Sequence, residues 1–251
     1  MIPKVIHYCW FGRNPLPQMA QDCIASWRKF CPDYEIIEWN EDNFDLYSNQ
    51  YVKEAYEHKK WAFITDYVRL YVLYHHGGIY MDTDVEVLQS LDCFLGHQAF
   101  SGFQNPDEIP TGIMASEKGN EWIGYLLSYY DTHSFVKPDG SLDTTNNVIT
   151  ITRMTQEYTN VQLNNTYQET DKGVVFYPKE YFCPFDYINY NDKKLRDKSI
   201  TENTYTIHHF MGSWNSEGQK LKKKLMALAG PTVTGWLRNM KKRLTKQSGN
   251  K

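Results

Sequence analysis

The segment that most constrains the fold is the run of residues 62–88, AFITDYVRLYVLYHHGGIYMDTDVEVL. Its first half repeats apolar side chains at intervals of three and four residues, which is typical of a helix that packs one face against a core. Gly77 and Gly78 then end this helix, because glycine adopts the left-handed cap conformation without steric cost. The next three residues, 79–81, predict a short buried strand.

Two carboxylates directly follow that predicted strand. Asp82 and Asp84 are separated by Thr83, and on an extended backbone residues two apart face the same side. Two such charges repel each other unless a proton or a cation lies between them. Mg²⁺ and Mn²⁺ prefer oxygen ligands, and phosphate oxygens of a substrate often complete their coordination. The spacing therefore indicates a metal site for a nucleoside diphosphate, although D-x-D alone is more often a surface turn.

The helix before the strand carries a second charged pair. Asp66 and Arg69 are one helical turn apart and share a face of an otherwise apolar helix. They form either a simple ion pair or a part of the same site. The sequence contains no glycine-rich phosphate loop of the Walker or dinucleotide type, so a site that holds phosphate through a metal is the better candidate.

The N-terminal part alternates strand, helix and strand. Residues 4–11 are β-branched and aromatic, residues 18–30 carry a helical apolar face, and residues 34–39 predict a second strand. This order predicts a βαβ unit and therefore a parallel sheet, in which ligands bind beyond the carboxyl ends of the strands. Trp10 follows the first strand, where its ring either stacks on a nucleotide base or packs in the core.

A late segment adds two histidines. Residues 204–210, TYTIHHF, predict a strand, and strand alternation lets only one of His208 and His209 point inward. Histidine is a common third ligand where two carboxylates leave a metal shell incomplete, although a single strand histidine is more often structural. Residues 132–147 are rich in Pro, Gly, Asp, Thr and Asn, and we interpret them as a long loop and a candidate substrate lid.

Composition limits the class of protein. A chain of 251 residues favours one large domain, and its net charge of −3 argues against nucleic-acid binding by the whole chain. Five cysteines without a C-x-x-C pair support neither a disulfide framework nor a zinc site, so a reducing cytoplasm is expected. The chain shows no signal segment and no apolar run of about 18 residues, so we expect neither export nor a membrane span.

The charge is distributed unevenly along the chain. After Glu217 there are ten basic and no acidic residues, so residues 218–251 carry +10 and the remainder carries −13. Leucine, methionine and tryptophan lie between these charges, as in segments that bind an anionic membrane surface. A solvated helix packed on the domain would show the same pattern. We therefore predict a main domain over residues 1–217 and a basic, amphipathic helical tail over residues 218–251.

With these residues identified, the chain resembles the small glycosyltransferases that use sugar nucleotides and carry a DXD sugar-binding region, the family 32 type. That family includes bacterial capsule and O-antigen transferases and the yeast initiating mannosyltransferase, and more distantly the catalytic domains of the clostridial glucosylating toxins. The resemblance rests on residues 2–12 (IPKVIHYCWFG), 31–44 (CPDYEIIEWNEDNF), 62–87 and 207–214 (IHHFMGSW).

The resemblance implies a fold and a set of donor contacts. The implied fold is α/β of the GT-A type, a Rossmann-like nucleotide-binding domain with a mixed, mostly parallel central sheet. By position, Trp10 is similar to the tryptophan that stacks on the donor base. Asp66 and Arg69 match a pair that contacts the donor sugar and its phosphate side. Ser213 and Trp214 match a closing segment at the diphosphate.

The resemblance also implies the metal ligands. Asp82 falls on an aspartate that contacts the ribose and the sugar, and Asp84 falls on a direct metal ligand. His208 is similar to a late ligand or phosphate contact, with His209 as the alternative. The implied metal set is Asp82, Asp84 and His208, and no catalytic nucleophile is assigned. The residues expected to carry catalysis are Asp66, Arg69, Asp82 and Asp84.

The resulting expectation is a retaining hexosyltransferase that uses Mn²⁺ or Mg²⁺ and a UDP-sugar, with galactose or glucose as the sugar. The expected acceptor is a lipid-linked oligosaccharide of bacterial capsule or O-antigen synthesis, reached in the cytoplasm at the inner face of the membrane. One alternative is a toxin-like transferase that modifies a protein, and the other is a non-catalytic carbohydrate-binding protein on the same fold. The joint presence of Asp66, Arg69, Asp82 and Asp84 argues against the second alternative.

Overall fold

The predicted βαβ unit opens the chain as strand β1 (Val5–Cys9), helix α1 (Gln18–Phe30) and strand β2 (Glu35–Trp39). In the computed structural model, which describes residues 1–185 and 193–212, β1 and β2 pair in parallel. Helix α1 is amphipathic and buries Ile24 and Trp27 against the sheet. The indole N–H of Trp27 also donates to the main-chain oxygen of Val85, 2.7 Å away.

The central segment forms helix α2 (Gln50–Glu57), helix α3 (Trp61–His76) and strand β3 (Gly78–Met81). Strand β3 pairs in parallel with β1. The predicted helix end is confirmed: Gly77 has φ +69° and caps α3 by donating its N–H to the main-chain oxygen of Leu73. A Cβ on Gly77 would lie 2.7 Å from the main-chain nitrogen of Lys118, so glycine is required there for space as well as for conformation.

The rest of the described chain completes the sheet and adds helices around it. The remaining strands and α-helices are β4 (Val85–Val87), β5 (Ala99–Gly102), β6 (Ile113–Ser116), α4 (Glu121–Thr132), α5 (Asn147–Tyr158), β7 (Gln168–Glu169), β8 (Val174–Tyr177), α6 (Lys179–Phe182), α7 (Lys193–Ser199) and β9 (Thr206–His208). Within the described ranges the main sheet has seven strands in the order β2-β1-β3-β6-β5-β8-β7, and five of them run in the same direction. The expected mixed, mostly parallel sheet is therefore confirmed.

The core has two halves, because successive residues of a strand face opposite sides of a sheet. One half lies between the sheet and helices α2, α3, α4 and α5, and it includes Tyr80 and Met114. The other half lies on the α1 side and includes Ile79, Met81 and Ile113. The sheet is thus covered on both faces, and its strand ends are the surfaces at which a ligand can approach.

Strands β4 and β9 form a separate two-stranded antiparallel sheet. Val85 lies opposite His208 in this pairing, so the late segment of the chain is held beside the residues that follow β3. This pairing brings together the two parts of the site that are far apart in sequence.

Some predictions fall outside the described residues. Ser213, Trp214 and the tail over residues 218–251 lie there, so the domain boundary at residue 217 and the amphipathic tail stay predictions. In the ranges that are described, every helix is too short or too polar to cross a bilayer.

Candidate functional site

The backbone between Asp82 and Asp84 is a turn. The N–H of Val85 donates to the main-chain oxygen of Asp82 at 3.0 Å, and residues 82–84 lie outside both neighbouring strands. The expectation that an extended backbone places the two carboxylates on one side was therefore wrong. The turn brings them together instead, because it folds the chain back between β3 and β4.

Asp82 is held at one of its two carboxylate oxygens. The hydroxyl of Tyr80 donates to Oδ1 at 2.8 Å, and Nη1 of Arg69 lies 3.4 Å from the same atom. The other oxygen, Oδ2, faces Gly112, where a Cβ would lie 3.6 Å from Oδ2 and 3.0 Å from Nδ1 of His208. Oδ2 of Asp82 is therefore the oxygen available to a ligand on the His208 side.

Asp84 is buried and tied to the late segment. Nε2 of His208 lies 3.2 Å from its Oδ1, and the N–H of Met211 donates to Oδ2 at 2.7 Å. The ring of His209 points elsewhere, with Nε2 2.9 Å from a carboxylate oxygen of Glu86. Of the two histidines that the sequence left open, the structure places His208 beside the two aspartates.

Asp84 and His208 stabilise each other's charged forms. Burial alone would raise the pKa of Asp84, but His208 and the Met211 N–H more than offset this effect and lower it. Burial alone would lower the pKa of His208, but the Asp84 carboxylate raises it well above the ordinary value. The carboxylate of Asp84 is therefore held ionised, which is the form that binds a metal, whereas His208 has to release its proton before its ring can bind one.

The three residues Asp82, Asp84 and His208, here called the DXD cluster, fit a divalent cation. One donor atom from each lies within 4.8 Å of the other two. Nδ1 of His208 is buried and has no hydrogen-bond partner in the described part of the chain, which is costly unless a ligand is bound there. Two carboxylates and one imidazole suit Mn²⁺, and Mg²⁺ accepts the same oxygens.

Gly112 provides a test of this cluster. Gly112→Ala would place a methyl group against His208 and Asp82, so we expect Mn²⁺ binding to weaken by about 10- to 100-fold, as when a supporting residue of a metal site is changed. Calorimetric titration with MnCl₂ measures the effect. Gly96→Ala is the matched control, since a Cβ on Gly96 meets no atom within 4 Å. Equal Mn²⁺ affinities for the two variants would contradict a cation site at the cluster.

Asp66 and Arg69 form a buried ion pair beside the cluster. Nη2 of Arg69 lies 2.9 Å from Oδ1 of Asp66. The same guanidinium donates through Nη1 to the main-chain oxygen of Thr111 at 2.6 Å and through Nε to that of Thr65 at 3.3 Å. Since Nη1 also faces Asp82, protein groups occupy most of its donors. Arg69 therefore positions both aspartates, and its contact with a donor phosphate stays a prediction.

A residue that the sequence did not indicate completes this pair. Nδ2 of Asn147, the first residue of α5, donates to Oδ1 of Asp66 at 3.0 Å. Its neighbour Asn146 caps α5 by accepting from the N–H of Val148 at 3.0 Å. In the sequence, two asparagines before a helical pattern indicate a cap and nothing more.

Asp66 predicts a pH dependence of stability. Burial raises the pKa of its carboxyl group from 3.8 to about 6, against the opposing effect of Arg69. Between about pH 4 and 6 the folded state therefore binds more protons here than the unfolded state, so this residue's contribution to the free energy of unfolding falls as pH rises. We expect the unfolding free energy of wild type minus that of Asp66→Asn to fall by about 3 kcal/mol across this window.

Urea unfolding at a series of pH values measures this difference, and its sign is the informative result. A difference that stays constant with pH would show that Asp66 does not titrate in this range. A difference that rises with pH would show that the Arg69 charge outweighs burial, because the pKa of Asp66 would then lie below its ordinary value.

Trp10 lies at the carboxyl end of β1, beside the strand that leads to Asp82. Its indole N–H donates to the main-chain oxygen of Asn14 at 2.6 Å, and its main-chain N–H donates to the main-chain oxygen of Trp39. The ring is neither fully buried nor fully exposed. The position fits the predicted base contact, which stays a prediction.

Comparison with known proteins connects this geometry to a family. Residues 17–101 match the family described as "Glycosyltransferase sugar-binding region containing DXD motif". The chain is 29% identical over 130 residues to inositol phosphoceramide mannosyltransferase 3 of Schizosaccharomyces pombe, across 49% of this chain and 35% of that protein. It is 26% identical over 147 residues to the mannosyl phosphorylinositol ceramide synthase SUR1 of Saccharomyces cerevisiae, across 54% of this chain and 37% of that protein.

The chain thus covers only about a third of the length of these two relatives. Among solved structures, the PaToxG glycosyltransferase aligns with 62% of this chain and 70% of its own length, at 17% identity and a TM-score of 0.48. The matched residues include Asp66, Arg69, Asp82 and Asp84, which the structure brings together. The predicted resemblance is therefore confirmed for residues 17–101, which match the DXD-containing sugar-binding region of a glycosyltransferase family.

Proposed function

We propose that this chain is a metal-dependent, retaining glycosyltransferase that moves a hexose from a nucleoside diphosphate sugar to a hydroxyl group of a lipid-linked acceptor. The observation that supports this most directly is the DXD cluster, three metal-ligating side chains within 4.8 Å of one another after β3. The buried Asp66–Arg69 pair beside it supports a built site over a solvated turn.

The residues have distinct roles in this proposal. Asp82, Asp84 and His208 hold the cation, which when bound supplies positive charge to the diphosphate leaving group. Arg69 keeps Asp66 and Asp82 in place and adds a fixed positive charge near the developing negative charge. Asp66 accepts a hydrogen bond from a hydroxyl of the transferred sugar, because its Oδ2 is not used by the protein bonds described above.

The reaction needs no protein base in this proposal. The bond between the sugar carbon and the diphosphate oxygen breaks, and the acceptor oxygen forms a new bond to the same carbon on the same face. The proton of the acceptor hydroxyl passes to the departing diphosphate oxygen. Retention of configuration follows, since the acceptor attacks from the side on which the leaving group departs.

The identities of the donor sugar and of the acceptor are the more specific parts of the proposal. UDP-galactose and UDP-glucose are the donors expected from the sequence, and the names of the two yeast relatives add mannose as a third candidate sugar. Both names also refer to a ceramide lipid, which supports an acceptor hydroxyl carried by a lipid. We therefore propose a lipid-linked acceptor without choosing between an oligosaccharide and a phosphoinositol head group.

A donor screen tests the proposal. The folded chain is heated with Mn²⁺ and each of UDP-galactose, UDP-glucose and GDP-mannose, and release of the nucleoside diphosphate is measured in parallel. We expect one donor to raise the melting temperature and to be hydrolysed slowly in a Mn²⁺-dependent manner. If none of the three binds or turns over, while the chain is folded, the transferase proposal fails for these donor classes.

The basic tail supports a proposal about where the enzyme acts. We expect residues 218–251 to hold the enzyme at an anionic membrane surface in the cytoplasm, where a lipid-linked acceptor lies. Co-sedimentation with phosphatidylserine vesicles, at low and at high salt, compares the full chain with residues 1–217. Loss of binding is expected on removal of the tail or on addition of salt. Equal binding with and without the tail would contradict this role.

A further inference from the structure

An open groove lies between helices α3 and α4, and none of the residues that line it belongs to the DXD cluster. Its volume is about 420 Å³. Tyr74, near the end of α3, forms one wall, and one face of α4 forms the other. The residues of that face, spaced three and four apart as neighbours on a helix are, are Glu121, Gly124, Ser128 and Asp131. The groove is here called the α4 groove.

The middle of the α4 groove is apolar and free of large side chains. Gly124 has no side chain, and a Cβ there would lie 2.9 Å from the ring of Tyr74, so this ring packs directly on the helix. Ser128 is exposed, and its hydroxyl donates to the main-chain oxygen of Tyr125 at 2.7 Å. Leu127 adds a second apolar side chain beside Tyr74. The middle of the groove can therefore accept apolar side chains from a segment that lies along α4.

A carboxylate lies near each end of the groove. Glu121 and Asp131 are ten residues apart on α4, which corresponds to about 15 Å along the helix axis. Both are exposed, and in the described ranges no lysine or arginine lines the groove. The groove therefore favours a ligand with positive charge at both ends and apolar groups between them. A second copy of α4 in an antiparallel, twofold arrangement would instead bring Glu121 against Asp131, which is unfavourable.

The sequence of this chain contains a segment of the required chemistry. Residues 218–251, which lie outside the described ranges, carry +10, and residues 1–217 carry −13. Within the tail, Leu237, Met240 and Leu244 recur at intervals of three and four among the basic residues. The described chain ends at Gly212, and the stretch from there to residue 236 can extend over about 80 Å, which exceeds the width of a domain of this size. The tail can therefore reach the groove.

We infer that the basic tail, residues 218–251, docks in the α4 groove when no anionic membrane is present. Its basic side chains pair with Glu121 and Asp131, and its apolar side chains contact Tyr74 and Leu127. The groove and an anionic membrane surface then compete for the same tail, so the tail is released where such a surface displaces it. This inference rests on the membrane role that the proposed function gives to the tail, and it adds an intramolecular switch to that role.

Vesicle binding measures the release of the tail. A tethered segment has an effective concentration of about 1 mM, so a dissociation constant of about 0.1 mM would keep the tail docked roughly nine-tenths of the time. Since a docked tail does not bind lipid, opening the groove should strengthen vesicle binding by up to about tenfold. We expect the double variant Glu121→Gln, Asp131→Asn to bind phosphatidylserine vesicles about three- to tenfold more tightly than wild type in co-sedimentation at low salt.

A charge-matched variant is the control for this measurement. Glu35→Gln, Glu202→Gln removes the same two charges from exposed positions on β2 and before β9, outside the groove. It should strengthen vesicle binding by less than about twofold, because it changes the net charge of the chain and leaves the groove intact. If the groove variant and the control variant strengthen binding equally, net charge explains the effect and the inference is overturned.

Carbodiimide cross-linking tests the docking without vesicles, because it joins a carboxylate to a lysine that contacts it. In the full chain we expect mass spectrometry to find Glu121 and Asp131 joined to lysines of residues 218–251. These products should decrease on addition of phosphatidylserine vesicles. They should also decrease in Ser128→Phe, which fills the groove without changing a charge. The exposed carboxylates of Glu35 and Glu202 should give few such products.

The cross-linked products also separate the possible outcomes. Absence of products between the groove and the tail overturns the inference. Products that join isotopically labelled to unlabelled chains would assign the groove to the tail of a second copy, which overturns an intramolecular switch. If the tail is joined to the groove but its removal leaves vesicle binding unchanged, the docking stands and the membrane role in the proposed function fails.

Discussion

Asp84→Asn is expected to lower the rate of donor turnover by at least about a hundredfold and to weaken Mn²⁺ binding by a similar factor. Asparagine keeps the shape of the side chain and can still accept from the Met211 N–H, but it removes the negative charge that binds a cation. His208 loses its counter-charge at 3.2 Å in the same step. Initial rates over a MnCl₂ series, together with calorimetric titration, measure both effects.

Glu86→Gln is the control for this variant. Glu86 lies on β4, two residues after Asp84, and its carboxylate contacts His209 instead of the DXD cluster. Glutamine retains an acceptor for that contact, so we expect turnover and Mn²⁺ affinity close to wild type. If Asp84→Asn also keeps wild-type Mn²⁺ dependence while melting at the wild-type temperature, Asp84 is not a metal ligand and the proposed mechanism loses its central residue.

The sequence predicted those elements whose pattern is local. The helix over residues 18–30 was predicted with the bounds that the structure shows, because its apolar spacing and its ends are visible in a short window. The prediction was less successful for individual side chains. The apolar pattern of residues 18–30 includes Met19, and the structure leaves this side chain 38% exposed.

The site depended on features with no local signal. Strand β4 has only three residues, and nothing in its sequence, VEV, indicates that it pairs with β9. That pairing places His208 beside Asp84. In the sequence, the turn between Asp82 and Asp84 resembles a continuation of the strand, because the two aspartates are two residues apart, as side chains on one face of a strand are. Asn147 was not predicted as a site residue, because a helix cap accounts for asparagine at the start of a helix, and Asn146 provides that cap. Long-range pairing decided each of these positions, and a single sequence does not show it.

Arg69→Met is expected to lower the free energy of unfolding by about 3–5 kcal/mol, the cost of breaking a buried ion pair at one partner. Methionine fills a similar volume but leaves Asp66 buried beside Asp82 without a positive charge, and it leaves the main-chain oxygen of Thr111 without its donor. For a chain of this size the melting temperature should fall by about 6–20 °C. Donor turnover should be lost as well, because Asp82 is no longer held.

Two further variants separate these effects. Arg153→Met removes an exposed arginine that pairs with Glu157 at 2.7 Å, so it should cost less than about 1 kcal/mol. In the double variant Asp66→Asn, Arg69→Met no uncompensated charge remains at residue 66, and much of the lost stability should return while turnover does not. If Arg69→Met melts no lower than Arg153→Met, the buried pair does not stabilise the fold. If the double variant regains turnover, neither residue is needed to position the site, and Asp82 must be held by Tyr80 alone.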